Sequence, residues 1–314
     1  MLLASVPVVF AQTTGQPGPV ARSAVPTNPV VTSTKPVTKL SEIPPDWVPP
    51  TPDSLNGLPI NAFIIMPPNV IDNVRAIYRH GQDLGRYPFA FGKIGDSTIE
   101  YPYFLQDFDK GRYTLGVYDY LQVTIDQFKG SFVRRSAAVK VGQHAWTVLN
   151  PNWANSSQCK KNETPVACEL RLANPIVVLI RLGPNDAGNL KLFEKNFKPV
   201  IEYVIAQGVI PVLSTKADRQ AGMTDINNLM RQWAAEYQVP LWDLDVVMEK
   251  MPKRGLWTDG VHMSAFSPLD LTNPLAYQRG HAMQNLTALM MLDNIRRAVS
   301  DIPPLETSHP KREK

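Results

Sequence analysis

Phe89-Ala90-Phe91-Gly92-Lys93-Ile94-Gly95-Asp96-Ser97 sets an apolar run of strand length directly against a Gly-Asp-Ser turn. A second run, Ile176 to Leu182, is followed in the same way by Gly183-Pro184-Asn185-Asp186. Short apolar runs closed by turn residues are what buried parallel strands look like, and a parallel sheet delivers the loops after its strands to one edge. A third patch, Asp259-Gly260-Val261-His262, lies further along in a polar stretch.

Outward from these runs the chain alternates strands with helices. Ala62 to Met66 reads as a buried stretch, and Val70 to Leu84 as a helix with Val70, Val74, Ile77 and Tyr78 on one side and Gly85 at its end. The first core strand is expected over Tyr87 to Ile94. Leu115 to Phe128 is a helix candidate, and Ala145 to Leu149 reads as the start of another. A helix from Leu190 carries Phe193, Phe197, Val200, Ile201 and Val204, with Pro199 expected to kink or split it; Gly208 stops it before a strand over Val209 to Leu213. An amphipathic helix follows with Ile226, Leu229, Met230, Trp233 and Tyr237 on one face and Thr224 or Asp225 as its cap. Val239 to Leu244 is the last short strand. A closing helix is expected over Tyr277 to Val299, with Leu286, Leu289, Met290 and Ile295 inward. The fold class is therefore α/β, a three-layer α/β/α sandwich around a mainly parallel central sheet.

Composition narrows the setting. The 314 residues are 44% hydrophobic with a formal charge of +4, and the basic residues are scattered, which argues against nucleic acid as a partner. Residues 1–11 form a short apolar run, expected to be a secretion signal whose start lies upstream, with a frayed apolar terminus as the alternative; it is too short to span a bilayer. Residues 12–57, crowded with Pro, Thr and Ser, read as a linker or a disordered leader. The compact domain is expected over residues 58–300 and a polar tail over residues 301–314. The two cysteines, Cys159 and Cys168, are nine positions apart in a polar segment. In an exported protein they would form a disulfide; two free thiols in a cytosolic loop are the alternative. Neither has a histidine at metal-ligand spacing, so no metal site is expected.

The three patches hold the parts that nucleophilic acyl chemistry needs: a hydroxyl, a histidine base steered by a carboxylate, and amide donors for an oxyanion. Ser97 would be the hydroxyl, with a capping or turn serine as the alternative. Asp259 and His262 stand three apart, so one loop can fold the carboxylate onto Nδ1 and leave Nε2 for the serine proton. His80, His144, His281 and His309 lack such a setting. An aromatic stretch, Tyr101, Tyr103, Phe104, Phe108 and Tyr113, either lines an acyl or sugar pocket or packs a long loop.

In their order and contexts these patches resemble the SGNH (GDSL-type) hydrolase family, over roughly Tyr87 to Val299. The resemblance implies Ser97 as nucleophile, His262 as base and Asp259 as its partner. The Ser97 amide, the Asn185 side chain in Gly183-Pro184-Asn185-Asp186, and a glycine amide of the second block would bind the oxyanion. That glycine is assigned to Gly142, after Ser136 to Val141; Gly130 is the alternative, and a plain turn glycine remains a third reading. Two residues depart from the family pattern: Met263, where members often carry proline, which would loosen the histidine loop, and Lys93, which would reach the surface or pair with a carboxylate. The implied function is an extracytoplasmic, secreted or cell-envelope carboxylic ester hydrolase, acting on a small-molecule or glycan ester such as an acetylated sugar or small lipid ester. No metal or organic cofactor is expected. An O-acyltransferase on a glycan and an inactive glycan-binding envelope module are the alternatives.

Overall fold

In a computed structural model, residues 43–100 and 102–303 are described; the expected signal segment, most of the linker, Tyr101, His309 and the end of the tail lie outside them. Six strands form the central sheet in the order Ile64–Ile65, Leu241–Trp242, Ile210–Ser214, Pro175–Arg181, Tyr87–Gly95, Ala138–Val139. All neighbours are parallel except the edge pair Ile64–Ile65 with Leu241–Trp242. The strand Pro175–Arg181 is buried along its whole length. Its side chains alternate between two cores: Val177 and Leu179 join one, Val178 and Ile180 the other. That period of two requires an apolar layer on each face, and helices supply both. The first core holds the helices Pro68–Asp83 and Gly280–Ala298; the second holds Leu190–Ala206 and Met223–Glu236. The three-layer α/β/α arrangement with a mainly parallel sheet is thus the one expected.

Local chemistry explains the element ends and the departures from expectation. Pro199 does not split its helix, which runs unbroken over Leu190–Ala206 from the Asn189 cap. Pro199 and Lys195 both lie on the exposed face, where water can replace the bond that proline cannot make. The helix Met223–Glu236 starts after Gly222 at φ +88° with no side-chain cap, so neither Thr224 nor Asp225 caps it. The expected helix over Leu115 to Phe128 divides into a 3-10 segment, Gly116–Leu121, and the helix Gln122–Gln127. Inside the 3-10 segment the backbone leaves helical geometry at Tyr118, whose buried side chain donates its hydroxyl to the Ser54 carbonyl at 2.6 Å.

The linker expected over residues 12–57 ends earlier. Trp47 packs against Tyr277 with ring centroids 5.7 Å apart and donates Nε1 to Asn56 Oδ1 at 2.9 Å. Asn56 in turn donates to the Tyr277 carbonyl, and Leu55 is fully buried. The buried Leu55, the half-buried Trp47 indole and the bonds through Asn56 together hold this stretch on the domain.

Sequence reading also passed over a helix, Pro165–Ala173, within the cysteine segment. Thr164 caps it through the Ala167 amide and Pro165 takes its first position, a helix start that was legible in the residues. Cys168 lies buried on this helix and forms the disulfide with Cys159. Closing a ring across nine positions constrains the unfolded chain, so replacing both cysteines by alanine is expected to cost about 2–3 kcal/mol. In a domain of this size that is a fall of roughly 4–12 °C in Tm, read by circular dichroism. An unchanged Tm would show that the ring contributes nothing.

Candidate active site

The loops after three strands and the loop before the closing helix meet at one edge of the sheet. The strand Tyr87–Gly95 ends at Gly95, where an added Cβ would lie 2.4 Å from Ile99 Cδ1 and 2.7 Å from the Arg181 carbonyl, so only glycine lets the next turn fold this tightly. Asp96 caps that turn, Ser97–Ile99, by accepting from Thr98 N at 2.9 Å and Thr98 Oγ1 at 2.7 Å. Ser97 then projects its Oγ to 3.0 Å from His262 Nε2, across 165 residues of chain.

The histidine loop is built from its own backbone. Asp259 Oδ1 accepts from the amides of Val261 and His262, each at 2.9 Å, while Oδ2 lies 2.8 Å from His262 Nδ1. Burial works to raise the Asp259 pKa, but these two amides and the imidazole outweigh it and hold the carboxyl below its usual range. The carboxylate is therefore the form that faces the ring and selects the tautomer with its proton on Nδ1. Trp257 N donates to the His262 carbonyl at 2.7 Å and closes the loop. Met263, expected to loosen it, is buried in the first core and bridges back to Leu256, so it anchors the loop instead.

Two further segments stand against each other at this edge. Asn185 donates Nδ2 to the Gln143 carbonyl at 3.0 Å, which places its amide beside Gly142. Asp186 takes the Ala145 amide at 3.1 Å and faces His144 Nδ1 at 3.3 Å, tying the Asn185 turn to the helix Ala145–Val148. On the other side of Gly142, Lys140 N donates to the Gly95 carbonyl at 3.3 Å. Gly142 itself adopts φ +72° and is exposed. Gly130 is differently employed: its amide donates to Asp109 Oδ1 at 2.8 Å, so it has no donor left for an oxyanion.

Beneath the serine turn lies a buried ionic group that sequence reading did not single out. Lys216 follows the strand Ile210–Ser214 and bonds Asp96 Oδ2 through Nζ, with both side chains 1% exposed. Burial works to raise the Asp96 pKa, but the Lys216 charge and the bonds from Lys216 and Thr98 override it and keep the carboxyl ionised. Arg181, at the end of the intervening strand, lies buried over the Trp242 ring at 5.5 Å, and burial pulls its guanidinium down to about 10. Burial also pushes the Asp218 carboxyl up. The signal for this group was legible: Lys216 and Asp218 stand just after an apolar strand, at the sheet edge where polar residues gather around a site.

His281 lies nearer the site than its sequence setting implied. Its ring stacks on Tyr103 at 5.3 Å, and burial, with Arg181 and His262 nearby, pulls its pKa down to about 4, so it is neutral at pH 7. Phe104 and Phe108 are buried and pack the loop, Tyr113 is half-buried, and Tyr103 is exposed. Lys93 neither reaches the surface nor ends on a carboxylate: it is buried, its Nζ donates to the Phe132 carbonyl at 3.2 Å, and burial pulls its pKa down to about 7. Cys159, Glu163 and Cys168 come close together, but the disulfide occupies both sulfurs and leaves no thiolate for a metal.

No family model matches the chain, and no curated protein matches it. Solved structures do. A putative lipolytic protein of the G-D-S-L family from Desulfitobacterium hafniense DCB-2 is 18% identical, covers 64% of this chain and 98% of its own, and superposes with a TM-score of 0.41. A GDSL-like lipase from Bacteroides thetaiotaomicron VPI-5482 is 14% identical over 73% of this chain and 99% of its own, also with a TM-score of 0.41. What the site can do chemically follows from its own geometry.

Proposed function

We propose that this chain is an extracytoplasmic serine carboxylic ester hydrolase of the SGNH (GDSL) type, acting through an acyl-enzyme on Ser97. The observation that carries this reading is the unbroken relay from Ser97 Oγ through His262 to Asp259, with steps of 3.0 and 2.8 Å. As Oγ attacks the ester carbonyl, its proton passes to His262 Nε2, and the Asp259 carboxylate stabilises the imidazolium that forms. The carbonyl oxygen becomes an oxyanion, bound by the amides of Ser97 and Gly142 and by Asn185 Nδ2. Collapse expels the alcohol, which takes the proton back from Nε2. Water, deprotonated by the same nitrogen, then attacks the acyl-serine; Ser97 Oγ leaves, takes that proton from Nε2, and the acid is released.

The His262 and Asp259 side chains keep 48% and 44% of their surface exposed, so the relay sits on an open rim. An open rim accommodates a bulky alcohol and favours an acetylated sugar or small ester as substrate. The disulfide supports an oxidising compartment, and among the described residues no helix is long and apolar enough to cross a membrane.

A fluorophosphonate probe tests the reading directly: wild type labels, Ser97→Ala does not, and an unlabelled wild type refutes the proposal. Incubation with an acyl donor and a glycan acceptor separates hydrolysis from acyl transfer by product. Asn185→Ala removes one oxyanion donor and is expected to lower kcat about 100-fold or more while changing KM little. A kcat within about threefold of wild type would take Asn185 out of the oxyanion hole.

A further inference from the structure

Ser97 sits on a three-residue 3-10 turn, and so short a turn cannot hold a nucleophile to a fraction of an ångström by its own bonds. Something outside the turn must fix it. Asp96 grips the turn from below through Thr98 N and Thr98 Oγ1, and its second oxygen takes the Lys216 ammonium. Lys216 Nζ also reaches Thr98 Oγ1 at 3.3 Å. Lys216 is itself clamped: its amide donates to Asn227 Oδ1 at 2.9 Å and its carbonyl accepts from Asn227 Nδ2 at 2.8 Å. The pair therefore ties the serine turn to a loop two strands away, across the strand that ends in Arg181.

An ion pair buried this deeply is a poor way to gain stability, because desolvating both charges offsets most of their attraction and an apolar pair of similar volume often does as well or better. What a buried pair supplies is one allowed geometry. Any shift of the turn stretches a bond between two charges that have no water to fall back on.

We propose that Lys216 is a positioning residue for the reaction: through Asp96 it holds the Ser97 turn in register with His262. This rests on the esterase reading of the same site. Lys216 touches neither Ser97 Oγ nor the imidazole in any bond of the structure, so its effect falls on the aim of the nucleophile. Substrate binding is left alone.

The test uses the full chain and the variant Asp96→Asn/Lys216→Met, which removes both charges and leaves a side-chain amide oxygen at position 96 able to cap Thr98. Tm, the rate constant of fluorophosphonate labelling, and kcat and KM for p-nitrophenyl acetate are measured together. The expected result is a folded protein whose KM stays within about threefold of wild type while kcat and the labelling rate fall about 10- to 100-fold, as a misaligned attack demands. A folded double variant with wild-type kcat and labelling overturns the proposal, and so does a loss that appears wholly in KM. Should the double variant not fold, Thr98→Val is read in its place. It removes only the hydroxyl shared by Asp96 and Lys216, and is expected to lower kcat about fivefold at constant KM; an unchanged kcat overturns the proposal. Wild type labelling normally while the variants match it defeats this inference alone. A wild type that never labels defeats the esterase reading and this inference with it.

Discussion

Ser97→Ala is expected to lower kcat/KM for p-nitrophenyl acetate by about 10⁴-fold or more and to abolish fluorophosphonate labelling, with Tm within a few degrees of wild type. On the proposed mechanism the loss is large because alanine leaves no atom to form the acyl-enzyme. What remains is attack by water, with the proposed oxyanion donors still in place. Removal of the hydroxyl should disturb little else: Ser97 is only partly buried, and the bonds that shape its turn run through Asp96 and Thr98. Retention of even a tenth of the activity would mean that the attacking group lies elsewhere.

His262→Ala is expected to cost as much as Ser97→Ala, because the two act as one unit. With no base at 3.0 Å, the serine hydroxyl keeps its proton and stays a weak nucleophile. The sharper form of this prediction is non-additivity. Ser97→Ala/His262→Ala should be no slower than either single variant, since each alone already removes the relay. Measured on the same ester, a double variant slower than both by the product of their effects would show two independent contributions. It would break the proposed mechanism.

The parts of this molecule that were readable from residues share one property: their signal is local. Phe89 to Ile94 and Ile176 to Leu182 are strands because largely apolar runs of that length, bounded by glycine turns, fit the middle layer of a sandwich. The Asp259 to His262 loop was equally readable, because three residues of spacing suffice for its carboxylate to meet both amides and ring. Gly142 and Gly130 could not be separated in the same way. Which one has an amide to spare depends on Asp109, 21 positions before Gly130, accepting the hydrogen bond of the Gly130 amide. The split expected at Pro199 does not occur for a related reason: the bond it cannot make faces the exposed side, and exposure is decided by neighbours that the local pattern does not reveal.

The order of amino acids alone determined the alternation of strands and helices, the apolar stripes that demand a helical layer on each face, and the sequence of loops that carry serine, asparagine, carboxylate and imidazole. These follow from periods of about two and 3.6 residues and from turn chemistry, which act within a few positions. Only the tertiary structure decided that Lys216 reaches Asp96 across 120 residues, that Trp47 lies against Tyr277, and that Ser97 stands 3.0 Å from His262. The reason is physical. A buried charge or an indole needs a partner, but which partner it meets is set by strand order in the sheet, and strand order is a property of the packed whole.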